Sequence, residues 1–204
     1  ASKNQTSKGA VPVTIGLALL ALVLTAVNSG LLFIEPQERG IVISALAPDG
    51  YRQEPLQPGL SWVIPFFERV ETYPISYETY TMSIATEEGA VQGDDSIAAR
   101  TADGQEILVD ASVIFAVDPE QVIRVHILWQ DRYQNELVRA QARSIIRDAV
   151  SQFDVAEVIT TNRFELIDTV NQEMTDVLDE NGLLMVDFVI RNITFSPEYA
   201  AAVE

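Results

Sequence analysis

The chain has 204 residues, of which 48% are hydrophobic and 21% charged, so it is not a wholly disordered polar segment. It carries 13 lysines and arginines against 30 aspartates and glutamates, and this acidity disfavours binding to nucleic acid or to anionic lipid headgroups. There is no cysteine, which excludes disulfides, thiolate catalysis and cysteine-ligated metals.

The first predicted element is a membrane-spanning helix over residues 11–34, preceded by a polar tail at 1–10. No side chain from Val11 to Ile34 is charged, and 24 helical residues would rise about 36 Å against a bilayer core of roughly 30 Å. The alternative is a cleaved signal peptide, with Lys3 and Lys8 as its basic region and a loose cleavage site near Ser29. The apolar run continues past that site, which favours a retained anchor.

The charges on either side of this anchor predict its orientation. Lys3 and Lys8 lie before it, whereas Arg39 and Arg52 follow it. The small excess of positive charge before the anchor favours a cytoplasmic amino terminus. The main domain would then lie on the outer face of a bacterial plasma membrane or an equivalent membrane. From Glu35 onward 11 arginines stand against all 30 acids, a net charge of −19.

Small side chains recur along one face of the predicted anchor, at Ala21, Thr25 and Ser29. A spacing of four residues lets two membrane helices approach closely, so this stripe is a candidate for helix packing. The alternative is that these residues simply face lipid.

Residues 35–118 are predicted to form a β-rich first subdomain of antiparallel strands. Turn signals at 48–50 and 58–59 separate runs of β-forming residues, and Asp103-Gly104 suits a tight turn between strands at 96–101 and 106–117. Alternation along the last strand predicts a core-facing side. Its residues are Ile107, Val109, Ala111, Val113, Phe115 and Val117.

One loop of this subdomain is a candidate for contact with the membrane interface. The candidate interface residues are Trp62, Ile64, Phe66 and Phe67, and the same loop also carries Leu60 and Val63. Tryptophan beside aliphatic residues suits a site where the ring is buried and the N–H stays wet. The alternative is an ordinary pair of core strands.

Residues 119–195 are predicted to form a second, mixed α+β subdomain. Helical periodicity indicates two helices broken near Asp131, and a short helix or turn follows at 153–160. A further helix runs from Asn162 to a left-handed C-cap at Asn181-Gly182, before a last strand at 183–195. Residues 196–204 are predicted to begin a carboxy-terminal helix, which continues as a longer helix or is held by neighbouring subunits.

Three arginines share one face of the helical region, at Arg139, Arg143 and Arg147. Like charges four residues apart repel one another unless they are paired. The stripe is either a solvated face or a candidate contact with the acidic surface of the next subunit.

No residue pattern predicts an active site, a metal or a cofactor. His126 is the only histidine and lies in an apolar helical run. The acids at Glu87-Glu88 and Asp94-Asp95 lack the alternating spacing of a calcium loop. Motifs for a nucleophilic serine, a phosphate-binding loop or a zinc-binding helix are also absent from the sequence.

Five segments in order resemble the prohibitins, within the stomatin, prohibitin and flotillin (SPFH, band 7) superfamily. They are IEPQERGIVI, LQPGLSWVIPFFERVETYPI, TADGQEILVDASVIFAVDP, VRAQARSIIRDAVSQFDVAEVITTNRFELIDTVNQEM and GLLMVDFVIRNITFSPEYAAAVE. The resemblance implies an amino-terminal anchor, a two-part α+β domain against the membrane and a carboxy-terminal coiled coil, of which this sequence holds only the start.

This resemblance also implies a function without catalysis. Members of the family assemble with copies of themselves or related chains into rings or cages that confine membrane lipid and regulate embedded proteins, notably AAA-type membrane proteases. The alternative is an accessory structural subunit of one membrane enzyme complex. A continuing heptad-bearing helix would favour the scaffold.

Overall fold

The computed structural model describes the backbone of residues 10–160 and 162–195, and side chains from residue 14 onward within those ranges. The helices are α1 (Ala10–Ser29), α2 (Val122–Leu128), α3 (Arg139–Val150), α4 (Val155–Ile159) and α5 (Arg163–Glu180). The strands are β1 (Leu31–Ile34), β2 (Glu38–Ser44), β3 (Gly59–Trp62), β4 (Glu68–Pro74), β5 (Glu78–Met82), β6 (Ile97–Arg100), β7 (Glu106–Val117) and β8 (Leu183–Phe195). Two compact units result, residues 1–72 and 73–204.

The first unit pairs its strands into two ribbons, β1 with β3, which run antiparallel, and β2 with β4. Both predicted turns end in glycines that occupy the left-handed region, with φ of 81° at Gly50 and 115° at Gly59. Glycine alone adopts this conformation without a steric cost, which explains why these two turns could be located from sequence.

The predicted membrane helix over 11–34 is too long at its carboxyl end. α1 ends at Ser29, and residues 31–34 form a strand whose Leu31 and Ile34 lie opposite Trp62 and Gly59. The physical reason is that a short apolar run suits a half-buried strand as well as a helix, and pairing with β3 decides between them.

None of the helices in the described ranges combines the length and the apolar character that crossing a membrane requires. The predicted transmembrane helix is therefore not confirmed. The polar tail at 1–9 and the predicted carboxy-terminal helix from Ser196 lie outside the described residues.

The second unit is organised around β7. This strand pairs with β8 along one side and with β5 and β6 on the other, all antiparallel. Every predicted core position on β7, from Ile107 to Val117 in steps of two, is at most 1% exposed. The α+β class with antiparallel sheets is confirmed.

Helices α3 and α5 supply the rest of this core. α5 packs on β8 and on α3, and its buried residues recur every four positions, at Leu166, Val170, Met174 and Leu178. The break predicted near Asp131 is a 3₁₀ turn over 130–132, and a π-helical segment at 133–138 then leads into α3.

The strand pairing crosses the predicted division into subdomains at 35–118 and 119–195. β7 falls in the first of these and β8 in the second, yet they pair from Ile107 to Val117, and the compact unit that holds both begins at Tyr73. Sequence-distant pairing of this kind leaves no trace in local periodicity, which explains why the two divisions differ.

Candidate membrane-interface site

The β1–β3 ribbon carries apolar side chains on its outer face. Leu31 lies opposite Trp62, and Phe33 lies opposite Leu60. Because side chains alternate across a strand, these four share one face. They are 44%, 43%, 66% and 73% exposed respectively, whereas Ile34 on the other face is fully buried. We call these four residues the apolar ribbon face.

Phe66 extends this apolar surface from the loop after β3. Its ring is fully exposed, and its backbone lies in the left-handed region with φ of 69°. That conformation costs a residue with a side chain roughly 1–2 kcal/mol. Phe67 beside it is 52% exposed, and Ile64 is half-buried. A large apolar ring held outward in a strained conformation is typical of a binding residue.

The carboxylate of Glu68 holds this loop in place. It accepts hydrogen bonds from the Ile64 amide at 2.7 Å and from the guanidinium of Arg52, whose Nε lies 3.0 Å away. The Glu68 side chain is 4% exposed. Burial raises the pKa of Glu68, but the hydrogen bonds from Arg52, Ile64 and Ser44 outweigh it, so the pKa lies below its ordinary value. The ionised carboxylate thus fixes the backbone that presents Phe66.

Trp62 joins the ribbon to the end of α1. Its indole Nε1 donates at 3.0 Å to the Val27 carbonyl in the last turn of α1, which also accepts from the Gly30 amide at 3.3 Å. Gly30 lies at the same joint, where an added Cβ would clash with the Val63 carbonyl and lie 2.6 Å from Trp62 Nε1. The backbone of Val63 donates to the Gly30 carbonyl at 2.9 Å. The ribbon therefore continues directly from the helix.

The two hydroxyl groups of the small-residue stripe of α1 are hydrogen-bonded within the helix. Thr25 donates its hydroxyl to the Ala21 carbonyl at 2.8 Å, and Ser29 donates to the Ala26 carbonyl at 3.0 Å. An open groove of about 520 Å³ runs beside Thr25 and Ser29 and is also lined by Leu22, Ala26 and Phe66. Helix packing through Ala21, Thr25 and Ser29 stays a prediction.

The arginine stripe of α3 has partners within the chain. Arg139 and Arg143 both bind the carboxylate of Asp95, which is 3% exposed. Arg143 also donates to the Ser96 carbonyl at 3.2 Å, and Arg147 donates to the Ala98 carbonyl at 3.0 Å. The stripe therefore lies along β6 and the two residues before it. A contact between this stripe and a neighbouring subunit stays a prediction.

The lone histidine lies against a tyrosine in the second unit. His126 Nδ1 is 2.6 Å from the Tyr73 hydroxyl, and the rings meet edge to face at 5.7 Å. Within the described ranges, no group of three or more histidines, aspartates and glutamates is placed to hold a metal ion.

Three residues of the apolar ribbon face were not among the predicted interface residues. Leu31 and Phe33 were assigned to the membrane helix, and Leu60 was named in the candidate loop but was not one of its four interface residues. The signal that could have found them is a glycine at the start of each short run, Gly30 before LLFI and Gly59 as the first residue of GLSW.

Comparison with known proteins supplies a family for this arrangement. The model of the SPFH domain / Band 7 family matches residues 32–204. The chain is 23% identical over 190 residues to Prohibitin 1 of Drosophila melanogaster, which covers 93% of this chain and 62% of that protein. It is 22% identical over 188 residues to Prohibitin-1 of Saccharomyces cerevisiae, covering 91% and 59%. The chain thus spans about three-fifths of the length of these relatives.

Proposed function

Because the chain belongs to the SPFH domain / Band 7 family and is prohibitin-like, we propose that it is a membrane-anchored scaffold rather than an enzyme. It assembles with copies of itself or related chains into a ring or cage, organises the enclosed patch of membrane, and regulates embedded proteins such as an AAA-type membrane protease. The main domain lies on the outer face and the amino terminus in the cytoplasm.

The observation that carries this proposal is the continuous apolar surface of the first unit. Every described side chain of α1, from Thr14 to Ser29, is exposed, including Leu17, Leu22 and Leu24 at 59–66%. The apolar ribbon face and Phe66 follow directly in the chain. An apolar surface of this extent has to be shielded from water. A helix that is apolar all round is typical of membrane contact.

The experiment is to express the full chain with its natural flanking sequence, isolate membranes and wash them with alkaline carbonate. We expect the protein to stay in the membrane pellet and, after extraction in mild detergent, to form large closed particles by electron microscopy. Release of the protein by carbonate would contradict the anchor. Monomers or dimers in detergent, with the anchor intact, would contradict the scaffold and favour an accessory subunit.

A further inference from the structure

Few cations lie in the described part of the first unit, and two of its three arginines are paired with acids. Its described part holds three arginines, Arg39, Arg52 and Arg69, against six acids. Arg52 binds Glu68 through its Nε and Nη2, and the Nε of Arg69 lies 3.9 Å from a carboxylate oxygen of Glu71. Their charges are therefore largely neutralised by acids of the same unit.

Arg39 is the exception among these three. It is half-buried, its Nη1 donates at 3.0 Å to the carbonyl of Glu38, and its Nε is buried with no partner. A contact from Arg39 to a lipid phosphate would not select a lipid class, because zwitterionic and anionic phospholipids both carry that phosphate.

The remaining field at the proposed interface is negative. Three arginines against six acids leave a net charge of −3 in residues 14–72. Peripheral surfaces that select anionic lipid do so through clustered lysines and arginines. Residues 14–72 have the opposite balance, so within this described part the apolar side chains, and not the net charge, favour contact with a bilayer.

We infer that the apolar ribbon face binds an electrically neutral, zwitterionic lipid surface, and that anionic lipid weakens this contact. The inference rests on the proposed function, since it specifies the lipid that the same site contacts. Its physical basis is that burial of Phe33, Leu60 and Trp62 is independent of headgroup charge, whereas repulsion of the surrounding carboxylates is not.

The test uses a nitroxide label at the ribbon in the full chain. The sequence has no cysteine, so Leu60→Cys gives one labelling site, and Leu60 is 73% exposed. The labelled chain is reconstituted in vesicles of phosphatidylcholine, with and without phosphatidylglycerol. Relaxation by oxygen reports lipid contact, and relaxation by a water-soluble nickel chelate reports water contact. Ser61→Cys, on the other face of the same strand, is the matched control.

We expect the Leu60 label to show high oxygen accessibility in phosphatidylcholine and a loss of that accessibility when phosphatidylglycerol is added at low salt. Added salt should restore it, because exposed charges are screened within about 10 Å at 0.1 M. The Ser61 label should not respond to lipid composition.

Other outcomes overturn the inference in distinguishable ways. Equal or greater oxygen accessibility with phosphatidylglycerol, or a loss on adding salt, would overturn the lipid preference and leave the membrane interface standing. Contact with the nickel chelate in every composition would overturn both the preference and the interface. A label shielded from both reagents would overturn both in favour of a protein partner.

Discussion

The indole of Trp62 donates a 3.0 Å hydrogen bond to the carbonyl of Val27, and this bond links the β1–β3 ribbon to the last turn of α1. Trp62→Phe keeps an aromatic ring on the apolar face but removes the donor. We expect it to lower the free energy of unfolding by about 1 kcal/mol, the usual net worth of one hydrogen bond. Urea denaturation followed by circular dichroism measures this loss. A variant as stable as the parent would mean that the carbonyl of Val27 does not need the indole.

Gly30 at the same joint has no room for a side chain, because an added Cβ would lie 2.6 Å from Trp62 Nε1 and clash with the Val63 carbonyl. Gly30→Ala should therefore lower stability by roughly 1–3 kcal/mol, as overpacking does. Gly16→Ala is the matched control, since nothing lies within 4 Å of a Cβ added there, and alanine is the better helix former. Thermal unfolding that ranks the two variants equally would rule out the close approach at Gly30.

Two substitutions of Phe66 distinguish the effect of backbone strain from the effect of membrane contact. Phe66→Gly and Phe66→Ala both remove the ring, but only glycine is comfortable at a φ of 69°. We expect the glycine variant to be more stable than the alanine variant by about 1 kcal/mol. Both should bring the Leu60 label closer to water than in the parent. Equal stabilities would mean that the loop relaxes out of the left-handed conformation.

Asp95 is the shared partner of two arginines and is 3% exposed, so its charge matters to the second unit. Asp95→Asn should lower the free energy of unfolding by about 2 kcal/mol. This is less than the 3–5 kcal/mol of a fully buried pair, because Arg139 and Arg143 keep access to water. Asp94→Asn is the matched control, since Asp94 is exposed and binds only Ser96 in the described part of the chain. Similar losses for both variants would contradict a special role for Asp95.

Glu68 predicts a dependence of stability on pH. Its pKa in the folded protein lies below the ordinary value of 4.5 because the bonds from Arg52, Ile64 and Ser44 outweigh its burial. The stabilising contribution is therefore complete above about pH 4.5 and is lost as the pH falls through the folded pKa. Carboxylates titrate between roughly pH 5 and pH 3. Over this range we expect the melting temperature of Glu68→Gln to fall less steeply than that of the parent. Parallel curves would show that ionisation of Glu68 is not coupled to folding.

Much of the second unit could be predicted from the sequence because its signals are local. The strand at 183–195 and the hairpin around Asp103-Gly104 follow from alternation and from a turn that needs positive φ, which Gly104 adopts at 83°. The end of α5 was marked in the same way by Gly182, also at 83°. Hydrophobic periodicity and turn residues are properties of neighbouring positions in the chain. They can therefore be recognised without knowledge of the tertiary structure.

The features that were missed depend on distant residues. The arginine stripe suggested a solvated face or a subunit contact, because Asp95 lies 44 residues before Arg139 in the chain. By their apolar character alone Leu31 and Phe33 fit a membrane helix, and their pairing with β3 makes them part of a strand.

The most direct test of a membrane-facing first unit is the quenching of Trp62 by brominated lipid. Trp129→Phe leaves Trp62 as the only tryptophan, because the chain has two. In vesicles of brominated phosphatidylcholine, we predict strong quenching and a blue-shifted emission of the full chain relative to unbrominated vesicles. Unquenched, red-shifted emission from protein that remains incorporated in the vesicles would place Trp62 in water and contradict the proposed interface.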